Sequence, residues 1–583
     1  MDWLDWAIVA ASCVVSLGLG SYFTGKAARK GAEGYFAAER SLPWWAIGIS
    51  NAATYQSGNG AFVMLVLTYG LVGNWWWWAS WVIWMPLVAL IWAVLWTRMR
   101  IVTTAELLTL RYGGRPAILA RRVYAVMMFF FAVLIIAYVT GFFAKTIAPL
   151  VPMKEWQILL TFGAVTVVYT MLGGLQGSVF VAVVQFVIIL VGCAAFLFVA
   201  VPQHGGWSQI LGRINAVRPD ALEQLPGSGK LGGLTLLMLV VQGFFFAGSP
   251  TAGEGMTAQR FMAARSERHA IGGQLFNAFI SLSLRVLPLV GWGLLALACF
   301  WTPELADKRG GAPAGFRLIE DPAHAWGELI KTCSLPRGFV GLLVATEVAA
   351  FMSTLSALVN WGGSFVVNDF LKEIWPQMQR GTIVAVSRIV TVFLFVFAAV
   401  VTILYVKNMM SWFLFINSAM VVFLLPLAWF RFFWWRFNVW GELAATVLGL
   451  PLSILVWFGL GFEDKPFWQG TGLLFLSSFA LLTVITLLTP PESPGTLLRF
   501  YERCHPPGFW KRQRAEAAPP PHGVRPLGHA LVDSFLGIVA CFGLVVGTNA
   551  VFTGSWGLLA LGISCAGICG AWLLFRLRPK PVA

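Results

Sequence analysis

Polar side chains placed where an apolar run ought to continue are the residues with chemistry to offer in this sequence. In IGISNAATYQSGNGAFVM (47–64), Asn51, Thr54, Tyr55, Gln56, Ser57, Gly58, Asn59 and Gly60 crowd together. In LLMLVVQGFFFAGSPTAGEG (236–255), Gln242, Gly243, Gly248, Ser249 and Pro250 interrupt a second run. Neutral oxygens, freed carbonyls and small residues suit non-covalent work: holding a hard cation, or a small solute through a few hydrogen bonds. Glu254 and Glu347 add carboxylates inside apolar stretches, where an ionisable group marks a functional site by default. Covalent chemistry has no foothold. The six His show no metal-ligand spacing such as H-E-x-x-H. GSGK at 227–230 is not a phosphate loop, because Gln224 and Leu231 stand where Gly and Ser or Thr are needed. The expectation is a protein that is not an enzyme and needs no organic cofactor.

The elements that position these residues follow from composition. The chain has 583 residues, 58% hydrophobic and 11% charged, with mean hydropathy +0.77. A soluble domain carries about 25% charged residues. With 29 Trp and 46 Phe, this reads as an all-α polytopic membrane protein whose surroundings are a lipid bilayer. A soluble enzyme, a collagen, a disordered regulator and a disulfide-built module are excluded. About fifteen segments reach the ~20 apolar residues of a spanning helix. They lie near 5–25, 43–72, 74–97, 121–149, 156–172, 174–201, 233–252, 270–300, 338–366, 383–406, 409–430, 439–461, 470–489, 527–551 and 554–575. The first has the acidic front MDWLD and no small-residue cleavage site, so it reads as a retained helix.

The net charge of +15 would suggest nucleic acid in a soluble protein. Here it reflects Lys and Arg retained in cytoplasmic loops, and no nucleic acid is expected. With the N-terminus outside and the spans alternating, 26 of the 40 Lys and Arg fall inside, which sets an N-out, C-in orientation. Most of the eight Cys lie within apolar runs and act as small hydrophobes. Cys299 and Cys333 fall near one external region, and a disulfide between them stays open.

The two polar runs lie five helices apart. Transporters built from inverted repeats place broken helices at corresponding positions, with the transport site between them. Kinked helices packed through small residues are the plainer alternative.

Several runs resemble the sodium/solute symporter family, which includes sodium/glucose and sodium/proline cotransporters. They are YFAAERSLPWWAIGISNAAT (35–54), YTMLGGLQGSVFVAVVQ (169–185), AQRFMAARSERHA (258–270), AAFMSTLSALVN (349–360) and WWRFNVWGELAATVLG (434–449). The resemblance implies a five-plus-five inverted-repeat core of the leucine-transporter type. Residues 1–42 would form an extra helix and inside loop, 43–201 the first repeat with its second segment broken, and 202–232 an external loop. Residues 233–433 would form the second repeat with its broken seventh segment, 434–489 two further helices, 490–526 a cytoplasmic Pro- and Arg-rich linker, and 527–583 two last helices with a basic tail.

The resemblance also implies one sodium ion between the second and ninth segments. Its ligands would be the carbonyls of Ala53, Gln56 and Ala350 and the hydroxyls of Ser353 and Thr354. An unwound turn frees carbonyls, and the negative end of a half-helix adds partial charge. Back-bonding of Ser353 and Thr354 to the preceding turn is the alternative. Two departures stand out. Val181-Ala182 replaces the family's Thr-Asp, so a single sodium per cycle is expected. Tyr55 replaces the Asp of the proline-transporting branch, and Gly60, Ala247 and Pro250 break the sugar-binding pattern. The candidate substrate wall is Gln56, Asn59, Trp78, Trp81, Gln242, Phe246 and Trp412, although the tryptophans of NWWWWASW (74–81) also suit an interfacial belt.

Glu347 shares a helix face with Ala350 and Thr354 and would tune the ion site, accept a proton or pack against a neighbour. Glu254 reads as a cap for the helix that follows it, and Arg388 as a partner for either carboxylate. The reading is a sodium-coupled symporter of the inner or plasma membrane that imports a small organic solute, with no protein partner implied. A proton-coupled symporter using Glu347 is one alternative; a transporter-shaped solute sensor is another, from a different class.

Overall fold

The computed structural model describes all residues except 26–30, 55–58, 224–232, 251, 310, 407–411, 413–415, 417–420, 463–464, 466, 520–524 and 579–583. The chain is mostly helical, and eleven of the described helices are long and apolar enough to cross a membrane. The principal helices are α1 (Trp3–Tyr22), α2 (Trp44–Thr54), α3 (Asn59–Tyr69), α4 (Val72–Leu87, continued to Met99), α5 (Gly114–Ile147) and α6 (Glu155–Gln203). They continue with α7 (Gly233–Phe245), α8 (Glu267–Cys299), α9 (Phe339–Ile374), α10 (Arg380–Tyr405), α11 (Val421–Phe433), α12 (Val439–Gly459), α13 (Trp468–Leu488), α14 (Leu527–Thr553) and α15 (Trp556–Leu577).

The difference from about fifteen expected spans has identifiable causes. Segments 156–172 and 174–201 join into α6, which bends at Gly174 where φ is 56°. That conformation is open to glycine and strained for other residues. Segment 43–72 is described as α2 and α3 on either side of 55–58, which lie outside the described residues, and 233–252 ends early in a short 3-10 turn at Phe246–Gly248. Segment 409–430 lies partly outside the described residues.

The core of the bundle is built around α9, buried over nearly its whole length. It packs against α6, α5 and α1, and touches both α2 and α3. Helix α8 lies alongside α2 with its first half and α3 with its second. Helices α14 and α15 form a hairpin whose first arm contacts α4 and α8. The second arm turns Leu561, Ile563, Ile568, Trp572 and Leu574 outward, as a lipid-facing surface would.

The bend in α6 is put to use. The Met171 carbonyl accepts from Tyr35 Oη at 3.2 Å and from Arg388 Nε at 3.1 Å. Residues 490–526 differ from a bare linker: they carry helices Pro494–Cys504 and Lys511–Glu516 and the fully buried Trp510. The Arg111 guanidinium lies 4.9 Å from the Trp510 ring and 5.3 Å from the Phe500 ring, and donates to the Arg431, Trp434, Trp435 and Phe437 carbonyls. Placing two of its rings against one buried guanidinium anchors this segment. Cys299 and Cys333 are free thiols.

Candidate functional site

The site begins where α2 stops and α3 starts. Residues 55–58, and with them the expected sodium and substrate contacts of Gln56, lie outside the described residues. The described stretch of α2 ends at Thr54 and that of α3 begins at Asn59. At the carbonyl end, Ala52 O accepts from Arg285 Nη1 of α8. Ala53 O lies 2.9 Å from Ser353 Oγ of α9. At the amide end, the backbone N and Nδ2 of Asn59 both donate to Glu347 Oε2 at 3.0 Å. A cation thus contacts a carbonyl just before 55–58 and an anion contacts an amide just after it.

Four expected ion-site residues come together. Ser353 Oγ is 2.9 Å from both Ala53 O and Ala350 O, and Thr354 Oγ1 is 3.0 Å from Ala350 O. All four residues are buried. Oxygens from α2 and α9 thus converge on one spot, while the back-bonds from Ser353 and Thr354 to Ala350 also show the local pattern expected of hydroxyls in a helix. The facing surface of α6 is apolar: Ala182 and Phe186 pack with Ala52, Ala53 and Ile280.

The expected substrate wall is brought together in part. Trp81 is buried, with its ring 6.0 Å from Trp84, and Trp84 lies 6.1 Å from Phe246. Trp84, not singled out from the sequence, therefore links the two. Gln242 is half-buried on α7, and Trp412 is half-buried against the main core. The side chain of Trp78 lies outside the described residues. Gly60 belongs to packing: a Cβ there would come within 2.5 Å of the Thr146 side chain on α5.

Two expectations are corrected, and one residue was missed. Glu254 does not cap the helix Met256–Met262, whose N-cap is Gly255 with no side-chain bond. Its carboxylate instead meets Arg431, which also binds Glu442; Tyr124 Oη donates to Glu254 and Tyr112 Oη to Glu442, each at 3.0 Å. A buried guanidinium outcompetes the amides of one short helix, because burial leaves both carboxylates dependent on its charge. Arg388 partners neither Glu254 nor Glu347, since its guanidinium is taken by the carbonyl at the α6 bend. The residue missed was Arg285. It is a lone cation in the apolar run ISLSLRVLPLVGWG, and the intramembrane-charge rule that flagged Glu347 applies to it equally. Among the described residues no cluster of His, Cys, Asp or Glu suited to a metal is present.

Comparison with known proteins agrees with this architecture. The profile of the sodium:solute symporter family matches residues 35–449. Sodium/glucose cotransporter 4 of Danio rerio is 27% identical over 500 residues, covering 77% of this chain and 72% of that protein. Sodium/myo-inositol cotransporter 2 of Bos taurus is 27% identical over 591 residues, covering 89% and 82%. Sodium/mannose cotransporter SLC5A10 of Bos taurus is 25% identical over 552 residues, covering 84% and 87%. A solved outward-open sodium-coupled sialic acid symporter superposes with TM-score 0.65 at 17% identity, covering 84% of this chain and 99% of that one, and so shares the fold. These relatives are membrane cotransporters, not enzymes, and this chain is an integral multi-pass membrane protein that belongs to the sodium:solute symporter family.

Proposed function

We propose that the protein imports a small organic solute by alternating access, driven by one sodium ion per cycle. Sodium is held by the carbonyls of Ala53, Gln56 and Ala350 and the hydroxyls of Ser353 and Thr354. The observation that carries this reading is the contact of Ser353 Oγ with both Ala53 O and Ala350 O, which joins the end of a half-helix to α9. A cation inserted among these oxygens ties α2 to α9 and stabilises the conformation in which the broken helix receives solute. The orientation is N-out, C-in, with the two breaks in related five-helix repeats.

The apolar surface that Ala182 presents beside Ala53 supports a stoichiometry of one, because it supplies no carboxylate for a second ion. With a neutral solute the sodium charge adds ~2.3 kcal/mol at ~100 mV, roughly fifty-fold accumulation; with an anionic solute the cycle is electroneutral and the sodium concentration gradient alone drives it. The relatives are named for glucose, mannose and myo-inositol. This chain has Gly60, Ala247 and Pro250 where the sugar pattern differs, so its solute need not be a sugar.

The test is uptake and counterflow in proteoliposomes. Labelled solute should accumulate under an inward sodium gradient and not under an equal potassium gradient. Binding without counterflow would indicate a sensor and reject transport. Proton coupling through Glu347 draws on one observation, the fully buried carboxylate whose Oε1 has no hydrogen-bond partner. It forecasts uptake that follows a pH gradient and ignores sodium.

A further inference from the structure

We propose that Arg285 is the recognition group for the solute and that the solute carries a carboxylate. This rests on the transport reading above and names the substrate class for it.

Arg285 is 1% exposed, in the middle of a membrane-spanning helix. A charge at that depth is costly and is retained where something answers it. Only part of its donor set is answered by the protein. Nη1 donates to Ala52 O, while Nε and Nη2 have no partner. Nε–H and Nη2–H lie along one edge of the guanidinium and point in parallel. That edge is the fork that meets the two oxygens of a carboxylate side by side.

The chain's own nearby carboxylate does not fill the fork. Glu347 interacts with Arg285 through space but spends Oε2 on Asn59, and no ion pair within 4.0 Å joins the two. Glu347 Oε1 and Asn59 Oδ1 are themselves buried without partners. The ends of the broken helix therefore offer an unused pair of donors on one side and two unused acceptors on the other. A small acid with a hydroxyl or amino group beside its carboxylate satisfies both. A neutral sugar would leave a buried guanidinium charge uncompensated, and a phosphate dianion would bring excess negative charge against Glu347. Because Arg285 already holds Ala52 O, one residue before Ala53, an acid seated on its fork is read next to the sodium ligands.

The experiment is thermal unfolding of the purified full-length protein at constant sodium. Sodium propionate, lactate and pyruvate are compared with sodium chloride, and glucose and myo-inositol serve as neutral probes. The acids should raise Tm and the neutral probes should not. Arg285→Lys, which keeps the charge without the fork, should weaken acid binding about tenfold or more. Arg285→Met should abolish it. Arg285→Lys should keep the wild-type helical circular dichroism and a single cooperative unfolding transition, which shows that the variant is folded. The proposal is overturned if no acid stabilises the wild type, if the neutral probes alone do, or if Arg285→Lys binds the acids as the wild type does; the first two outcomes need no variant to fold. Sodium-driven uptake restricted to neutral solutes would reject this inference and leave the transport reading standing. Acid binding with uptake indifferent to sodium would do the reverse.

Discussion

Asn59 and Glu347 are tied twice: the backbone N and the side-chain Nδ2 of Asn59 both donate to the same carboxylate oxygen of Glu347 at 3.0 Å. The start of α3 is thereby fixed to the middle of α9, the helix that also carries Ser353 and Thr354. The same helix thus touches both halves of the interrupted second segment, through Ser353 at Ala53 and through Glu347 at Asn59.

This tie makes Glu347→Gln informative. Glutamine keeps an oxygen for the Asn59 amide but loses the charge that faces the α3 dipole. Stability should fall by about 1 kcal/mol, read as a lower Tm. Uptake should keep its pH profile. A profile that flattens in the variant would favour the proton-coupled reading.

Ser353→Ala and Thr354→Ala each remove one neutral oxygen from the proposed ion shell. The sodium concentration for half-maximal uptake should rise about tenfold, the equivalent of ~1.4 kcal/mol. Solute affinity at saturating sodium should change little. Unaltered sodium dependence in both variants would remove the assignment.

Arg431 holds two buried carboxylates, Glu254 and Glu442. Arg431→Met strands both, so it should destabilise the protein by about 3–5 kcal/mol. The loss should appear as a large drop in the midpoint of thermal unfolding. Arg388→Met removes a single bond to the Met171 carbonyl and should cost far less.

Asp321 lies outside the spanning helices and binds Lys145 Nζ at 2.9 Å. Burial pushes its carboxyl up, but the hydrogen bonds from Lys145 and the Ala323 amide, with the Lys145 charge, outweigh burial and hold it below the ordinary Asp value. A depressed value means that the contact stabilises the fold above the unfolded pKa of about 3.9 and fades as pH falls through the folded one. Asp321→Asn should therefore unfold earlier than the wild type at pH 7, and the difference should shrink below about pH 4.

Much of this was legible in the residues. Several polar groups and two glycines within 51–60 lead the sequence to expect an interruption of the second segment, since they cannot continue a lipid-embedded helix without partners; its centre, 55–58, lies outside the described residues. The bend between residues 172 and 174 was readable for a similar reason, as Gly173-Gly174 interrupts an apolar run. Glu254 was misassigned because a capping pattern is local, whereas Arg431, 177 residues away, is brought to it by packing. Arg388 was misassigned because a charge inside a span announces that it needs a partner without naming which one. The segment 490–526 looked like a linker because Pro and Arg dominate it, and nothing in it signals that Arg111 waits to receive Trp510.

By itself, then, the sequence determined that the chain lives in a bilayer, and it raised the expectations of interrupted helices and of Ser353 and Thr354 as ion ligands. These properties depend on neighbours within a few residues and on transfer from water to lipid. Only the tertiary structure decided that Arg285 and Glu347 contact the second segment on opposite sides of 55–58. Their positions are 62 residues apart in sequence, and only the packing of α8 and α9 against α2 and α3 sets one charge before a carbonyl and the other before an amide.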